Sequence, residues 1–361
     1  MTFKNFLQGF GILAVILTLV PLIAVDYWWI RVFDFPHIQL TGFTLLALLA
    51  YFLRFDIKYY KDYLFAVIIA ACFVFQLTKI YRYTPVTPHE INDSTITNTS
   101  KTLSIFSANV LQKNKNYQLV LDDISKKNPD IILLMETDTP WKNAVHPTLS
   151  SEYPYHMLSP FDNTYGMLFY SRLPISEERV RFLVDKEIPS MEAVITLESG
   201  DKVQLYAIHP TPPMPQHNPM SSDRDTEMMR TALAVNDRKL PAIVIGDFND
   251  VVWSNTTTLF KTVSRLLDPR IGRGFFNTFN AKNIVMRWPL DHIFISEEFR
   301  VASFSESNDI GSDHFPLFTE LTFEPEKAKE QMAEKPTEQN LKNAQDQLNE
   351  QNLLDVGNVS N

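Results

Sequence analysis

One cysteine and ten glycines in 361 residues bound what this chain can be. The lone Cys72 lies inside an apolar run, so the chain has no intramolecular disulfide and no thiolate metal site. So few glycines leave no dinucleotide-binding loop. The chain also lacks a Gly-x-Ser-x-Gly elbow, a Gly-x-x-x-x-Gly-Lys-Ser/Thr loop and a His-Glu-x-x-His helix. Basic charge is scarce as well: 33 Lys and Arg stand against 42 Asp and Glu, a net charge of −9. Proteins that grip duplex nucleic acid by neutralising many phosphates have the opposite balance.

Apolar runs, by contrast, are plentiful near the start. Leu7 to Val25, Ile38 to Leu53 and Tyr63 to Leu77 contain no interior Lys, Arg, Asp or Glu. Each approaches the roughly 20 residues that cross a bilayer, and Tyr27, Trp28 and Trp29 sit where an interfacial aromatic belt would lie. About three transmembrane helices are expected over residues 1–83. A cleaved signal peptide fits the first run less well, because no small-x-small site ends it and two more runs follow. Arg54, Lys58 and Lys61 fall in one short loop, whereas the Asp26 to His37 loop carries only Arg31. The positive-inside rule then places the N-terminus in the cytoplasm, although Lys79 and Arg82 pull the other way. The expectation is a multi-pass protein of the inner (plasma) membrane with its later domain on the periplasmic, extracytoplasmic side.

Residues 84–100 are rich in Thr, Pro, Asn and Ser and read as a linker. From Lys101 to Glu324 strands and helices alternate. Asn116 to Lys127 has helical spacing, Ile131 to Met135 is an apolar strand of the fully buried kind, and Glu192 to Glu198 with Val203 to Ile208 forms a hairpin around Ser199-Gly200-Asp201. Ser222 to Asn236 reads as a helix, Ala242 to Ile245 as a buried strand and Leu317 to Phe323 as the last strand. Residues 325–361, mostly Glu, Lys, Gln and Asn, read as a disordered polar tail.

Polar residues recur where these apolar strands stop. Asn109 follows Leu103 to Phe106, Glu136 follows Ile131 to Met135, and His209 follows Val203 to Ile208. Gly246-Asp247-Phe248-Asn249 follows Ala242 to Ile245, with Leu290-Asp291-His292 and Ser312-Asp313-His314 further on. Strand ends are where α/β folds gather their chemistry. Carboxylates, amides and histidines together suit hydrolysis assisted by a hard cation, since Mg²⁺ takes oxygen ligands and keeps room for substrate oxygens. Asp247 orients or deprotonates a water, with Asn249 beside it. A protonated His314, kept charged by Asp291, would stabilise charge on a phosphoryl group. His209 either protonates the leaving oxygen or holds a phosphoryl oxygen. Each residue taken singly also fits a capping or turn role. His217 and His292 read as bystanders.

In this order, with Gly166 to Arg172 between Glu136 and His209, the residues resemble the endonuclease/exonuclease/phosphatase superfamily, which includes DNase I-like nucleases, sphingomyelinases and inositol phosphatases. The resemblance spans Leu103 to Phe323. It implies an α/β (α+β) four-layer sandwich with two central mixed β-sheets. It implies Mg²⁺ or Mn²⁺ on Glu136, with Asn109 and Asp313 nearby, and Asp247 with Asn249 positioning the attacking water. Asn109, Asn249 and Arg172 are the candidate substrate contacts. Arg224, Arg270 and Arg273 are further candidates for a second phosphate, each with a solvated-surface alternative. The expected activity is metal-dependent hydrolysis of a phosphodiester or phosphomonoester (lipid head group, nucleotide or nucleic acid) by in-line attack of water, with no obligate protein partner. Alternatives are a membrane-tethered nuclease on DNA, which salt-sensitive duplex affinity would reveal, and a non-catalytic binding module, which should have lost part of the constellation.

Overall fold

The computed structural model describes residues 2–23, 26–215 and 218–359, so His217 lies outside the described residues. Helices α1 (Phe3–Leu19), α3 (His37–Tyr51) and α4 (Tyr60–Ile80) pack together, while α2 (Trp28–Arg31) is a single turn between the first two. With their terminal turns, Phe3–Leu22, His37–Arg54 and Tyr60–Tyr83 are each long and apolar enough to cross a membrane. Leu7, Tyr51 and Ala66 form their buried contact. Lys4 Nζ meets Asp62 Oδ2 at 2.6 Å, which joins the start of α1 to the start of α4.

The rest of the chain builds two sheets. The first contains β1 (Thr102–Asn109), β2 (Ile131–Met135), β3 (Tyr155–Ser159), β4 (Met167–Ser171), β10 (Phe299–Glu306) and β11 (Leu317–Phe323), in the order β10-β11-β1-β2-β4-β3. The second contains β5 (Ile175–Arg181), β6 (Ser190–Thr196), β7 (Lys202–Ile208), β8 (Ala242–Asp247) and β9 (Asp291–Ile295), in sequential order. Each sheet is antiparallel except for one central parallel pair, β1 with β2 and β7 with β8.

Alternation explains the layers. In β2, Ile131, Leu133 and Met135 face the second sheet, where they meet Leu205, Ile243 and Ile293. Ile132 and Leu134 face outward, against Ile124 of α5 (Tyr117–Lys127) and Trp141 and Val145 of α6 (Thr139–Glu152). A strand buried on both faces has no polar positions to alternate, hence the unbroken apolar run. On the far side Val244 and Phe294 pack against Met229 of α7 (Ser222–Asn236) and Phe260 of α8 (Asn255–Ser264). The result is the expected four-layer sandwich.

Two segments differ from their sequence reading. Residues 84–100 run along the sandwich instead of spanning open solvent: Ile91 is fully buried in the inter-sheet core, and Ser94 N donates to Val301 O at 2.8 Å. The polar tail contains a helix, α9 (Glu338–Val359), whose Leu341, Ala344 and Leu348 lie on the α7 and α8 layer. Three small or apolar residues at helical spacing suffice to dock a segment that composition alone marks as solvated.

Inside the second sheet's helix layer, Glu227 is buried and accepts from Ser190 Oγ at 2.8 Å. Burial pushes its carboxyl from the ordinary 4.5 up to about 7, so it is protonated in the fold at a pH where the unfolded chain has already ionised it. Stability therefore falls as pH rises from about 4.5 to about 7 and stays low above that, by roughly 3 kcal/mol. Glu227→Gln keeps the Ser190 bond and removes this dependence. Thermal melts at pH 5 and pH 8 should show the variant gaining on the parent only at the higher pH.

Candidate active site

Register brings the polar strand ends to one edge. Asn109 pairs with Met135 across β1 and β2, so Glu136 emerges beside it. Ile208 pairs with Gly246 across β7 and β8, so His209 emerges beside Asp247. Strand β9 runs antiparallel to β8, so it is its first residue, Asp291, that faces Asp247. Strand β11 likewise enters opposite the end of β1, with Ser107 facing Leu317, and the approach to it carries His314.

The side chains then close across the two sheets. Asn109 Nδ2 donates to Glu136 Oε1 at 2.8 Å and to Asp247 Oδ2 at 3.0 Å, bridging a carboxylate from each sheet. His314 Nδ1 donates to Asp291 Oδ2 at 2.7 Å, and its Nε2 lies 3.6 Å from Asp247 Oδ2. His209 Nε2 is 3.8 Å from the same oxygen. Asn249 Nδ2 donates to Pro210 O at 3.0 Å, which ties the loop after His209 to the turn after β8. Ser312, named in the sequence only as the start of the Ser312-Asp313-His314 motif, donates from Oγ to Asn109 O at 2.8 Å and so fastens the His314 loop to β1. Asp313 lines the same cavity.

Backbone strain gathers at this edge. Glu136 and Asn249 adopt left-handed φ values of 60° and 51°, each costing of the order of 1 kcal/mol. Gly246 cannot be replaced cheaply, since its φ is 147° and a Cβ there would stand 1.8 Å from Ile208 O. Behind the turn, Arg224 is buried and donates to Asn249 O at 3.1 Å, and His292 Nε2 meets Asp250 O at 2.8 Å. Arg270 Nη2 approaches His292 Nδ1 at 2.7 Å. An arginine can only donate, so Nδ1 accepts and Nε2–H is the donor to Asp250. His292 is thus a neutral brace outside the cavity.

Burial disfavours every charge here, and the neighbours decide which survive. Glu136 is raised by burial, opposed by the Asn109 amide and the His314 charge. Asp247 is raised by burial and by Asp291, opposed by His314, His209 and Asn109. Burial lowers His209, with Asp247 opposing. His314 goes the other way: burial would lower it, but Asp291 and Asp247 carry it up to about 10, so it is an imidazolium.

The cavity in front of these groups has a volume of about 610 Å³, within the range of small-molecule sites. Glu136, Asp247 and Asp313 line it, Asp291 stands behind His314 with Oδ1 buried and unpartnered, and one imidazolium balances them. Asp247, Asp291 and His314 also offer ligand atoms within 4.8 Å of one another. Hard oxygen donors in net negative surroundings suit a divalent cation.

The basic candidates are not there. Arg172 lies at the other end of β4, stacked on Tyr153 and paired with Glu152 at 2.9 Å. Its expected substrate contact is therefore corrected: β4 runs antiparallel to β2, so its first residue, Met167, meets the site edge and its end points away. Arg270 is buried on Asp268, and Arg273 pairs with Asp93.

A four-layer sandwich with an acidic, histidine-bearing cavity between its sheets defines a hydrolase of phosphate esters. The model of the Endonuclease/Exonuclease/phosphatase family matches residues 105–314, more than half of the chain, and the chain belongs to that family. Its members are metal-dependent phosphoesterases. Among solved structures, a humanised D. rerio TDP2 superposes with a TM-score of 0.51 at 16% identity, covering 62% of this chain and 99% of that one. The human Nocturnin catalytic domain with bound sulfate gives 0.51 at 18% identity, covering 62% and 95%. At such identities the likeness is one of fold. No curated protein matches the chain by sequence.

Proposed function

We propose that the chain is a membrane-anchored phosphoesterase that uses Mg²⁺ or Mn²⁺ to hydrolyse a phosphodiester or phosphomonoester by in-line attack of water. The observation that carries this reading is the convergence of Asp247, the Asp291–His314 pair and Glu136 on one cavity. Glu136, with Asp313, would hold the cation, which supplies positive charge against the phosphoryl oxygens, while Asn109, expected nearby, turns its Nδ2 to Glu136 and its Oδ1 to Leu111 N and would orient that carboxylate. His314 is less suited as a ligand, because Nδ1 is committed to Asp291 and the ring is cationic.

Asp247 accepts the proton of the attacking water as the new P–O bond forms, and Asn249, its Nδ2 already held by Pro210, offers Oδ1 to that water. The ester P–O bond breaks and the leaving oxygen takes a proton from His314 Nε2. Transfer from Asp247 across the 3.6 Å gap then restores the pair. Burial favours the neutral form of His209, which has no imidazolium proton to give, so we assign it the other role considered for it, an Nε2–H donor to a phosphoryl oxygen.

The chain divides in this reading into an anchor (1–83), a connecting segment (84–100), the catalytic domain (101–324) and a polar tail (325–361). The Lys4–Asp62 pair sets the N-terminus on the same face as the Arg54 to Lys61 loop, which the positive-inside rule assigns to the cytoplasm. Lys79 and Arg82, which pull the other way, are engaged by Asn255 and Glu90 of the opposite face. The catalytic domain then lies outside the cytoplasm.

Metal dependence is the direct test. EDTA should abolish hydrolysis of a phosphate ester and Mg²⁺ or Mn²⁺ restore it. Glu136→Gln should raise the Mg²⁺ concentration for half-maximal activity, and its calorimetric Kd, at least about tenfold. Activity unaffected by EDTA rules the reading out.

A further inference from the structure

We propose that the substrate is a lipid phosphate ester, whose phosphate meets Asp247 and His314 and whose hydrocarbon leaves along an apolar wall supplied by the membrane anchor itself. The proposal rests on the phosphoesterase reading above and names its substrate class.

The cavity has two kinds of lining. Beside the acidic residues it carries Trp28, Val32 and Phe35 from the loop between the first two spans, together with Met214, Phe279 and Leu290. That loop is fixed against the catalytic domain: Trp28 N donates to Pro219 O at 2.8 Å, Trp253 Nε1 donates to Asp34 O at 2.7 Å, and Phe35 packs edge-on to Trp288 at 5.7 Å. Buried beneath it, Val251, Val252, Trp253 and Leu290 pack with Ile80 and Tyr83 at the end of the third span. The anchor therefore completes the site as well as tethering it. Trp28 and Val32 nevertheless remain 38% and 47% exposed at the cavity, which is unfavourable in water and suits contact with acyl chains.

A second segment points the same way. Phe279 lines the cavity and packs on the His314 ring at 4.9 Å. A few residues on, the chain reaches a tip where Ile284, Val285 and Met286 are 89%, 64% and 44% exposed. Gln39 Nε2, in the first turn of α3, donates to Val285 O at 2.6 Å, so this apolar tip sits where the second span begins. Three consecutive exposed apolar residues at that level belong in the bilayer interface. The cavity mouth is thus flanked by two apolar segments at the membrane surface.

Charge excludes the main competitor. Among the described residues no lysine or arginine lines the cavity, and Arg172, Arg224, Arg270 and Arg273 are all held elsewhere. A nucleic acid would present its flanking phosphates to carboxylates and apolar carbon, without the cations that such ligands require. A single phosphate on a hydrocarbon stem matches both kinds of lining.

The test uses the full chain in mixed micelles with Mg²⁺ and four substrates: a dioleoyl phosphate ester, its dihexanoyl counterpart, glycerol phosphate and single-stranded DNA. We expect kcat/KM to rise about a hundredfold from glycerol phosphate to the dioleoyl ester, a few buried methylenes at roughly 0.8 kcal/mol each. Val32→Asn with Phe35→Ser should cut that ratio about tenfold, and Phe35→Leu should retain it. Should the double variant misfold, Ile284→Ser, on a fully exposed tip, should lower turnover of vesicle-borne ester relative to micellar ester. Efficient hydrolysis with no gain from chain length, or DNA preferred over the dioleoyl ester, overturns the lipid proposal while leaving the phosphoesterase reading intact. No hydrolysis of any substrate overturns both.

Discussion

Asp247→Asn is expected to lower kcat by about three to five powers of ten while shifting the thermal midpoint little, the relief of a buried charge offsetting one lost hydrogen bond. The substitution is isosteric. An asparagine has a single oxygen, which can keep the bond that Oδ1 receives from Asn249 N at 2.9 Å, whereas its amide nitrogen replaces the Oδ2 that accepts from Asn109 Nδ2 at 3.0 Å and forfeits that bond. It also loses the negative charge, and with it the ability to take a proton from water. The same charge is a liability in the folded state, since burial and the neighbouring Asp291 both disfavour it. Removing it relieves repulsion that the fold otherwise tolerates for the sake of chemistry. A merely structural Asp247 would give the opposite pattern, with a lower midpoint and little change in kcat of the folded fraction. Turnover and calorimetric melting of the two proteins in the same detergent separate these outcomes.

How much of this was legible in the sequence depended on whether a residue's role follows from its own strand. Asn109, Glu136, His209 and Asp247 stand out because each follows a largely apolar, strand-like run, and parallel pairing of those runs carries the ends to one edge. The four layers, by contrast, were legible only through the resemblance to the family. Arg172 shows the limit. It too ends an apolar strand, but whether a strand's start or its end meets the site depends on its direction relative to its neighbour, which sequence does not record. Strand β5 was missed because it lies at a sheet edge with Glu177, Glu178 and Arg179 outward, and α6 because Pro147 interrupts its pattern. Trp28, Val32 and Phe35 look like interfacial residues of an anchor, and only docking of their loop on Trp253 and Trp288 makes them part of the cavity. Long-range placement of this kind leaves no local periodicity to read.

The Asp291–His314 pair should behave as one unit. His314→Gln is expected to lower kcat about 10³-fold or more, since it removes both the charge facing the phosphoryl group and the proton for the leaving oxygen. Asp291→Asn should cost roughly a tenth to a hundredth of that loss, because the imidazole remains but its charge is no longer favoured nor its ring held by the 2.7 Å bond. The informative quantity is the double variant. If Asp291 acts through His314, then once His314 is gone the second change has little left to remove, and the double variant should turn over no more slowly than His314→Gln alone. Additive losses would mean that Asp291 has a separate function. Its buried Oδ1, unpartnered in the structure, is the atom available for one, and cation coordination is the chemistry it would suit. A calorimetric Mg²⁺ titration of Asp291→Asn distinguishes the two cases: unchanged affinity fits a group that positions His314, whereas a tenfold or greater loss would move Asp291 into the ligand set beside Glu136.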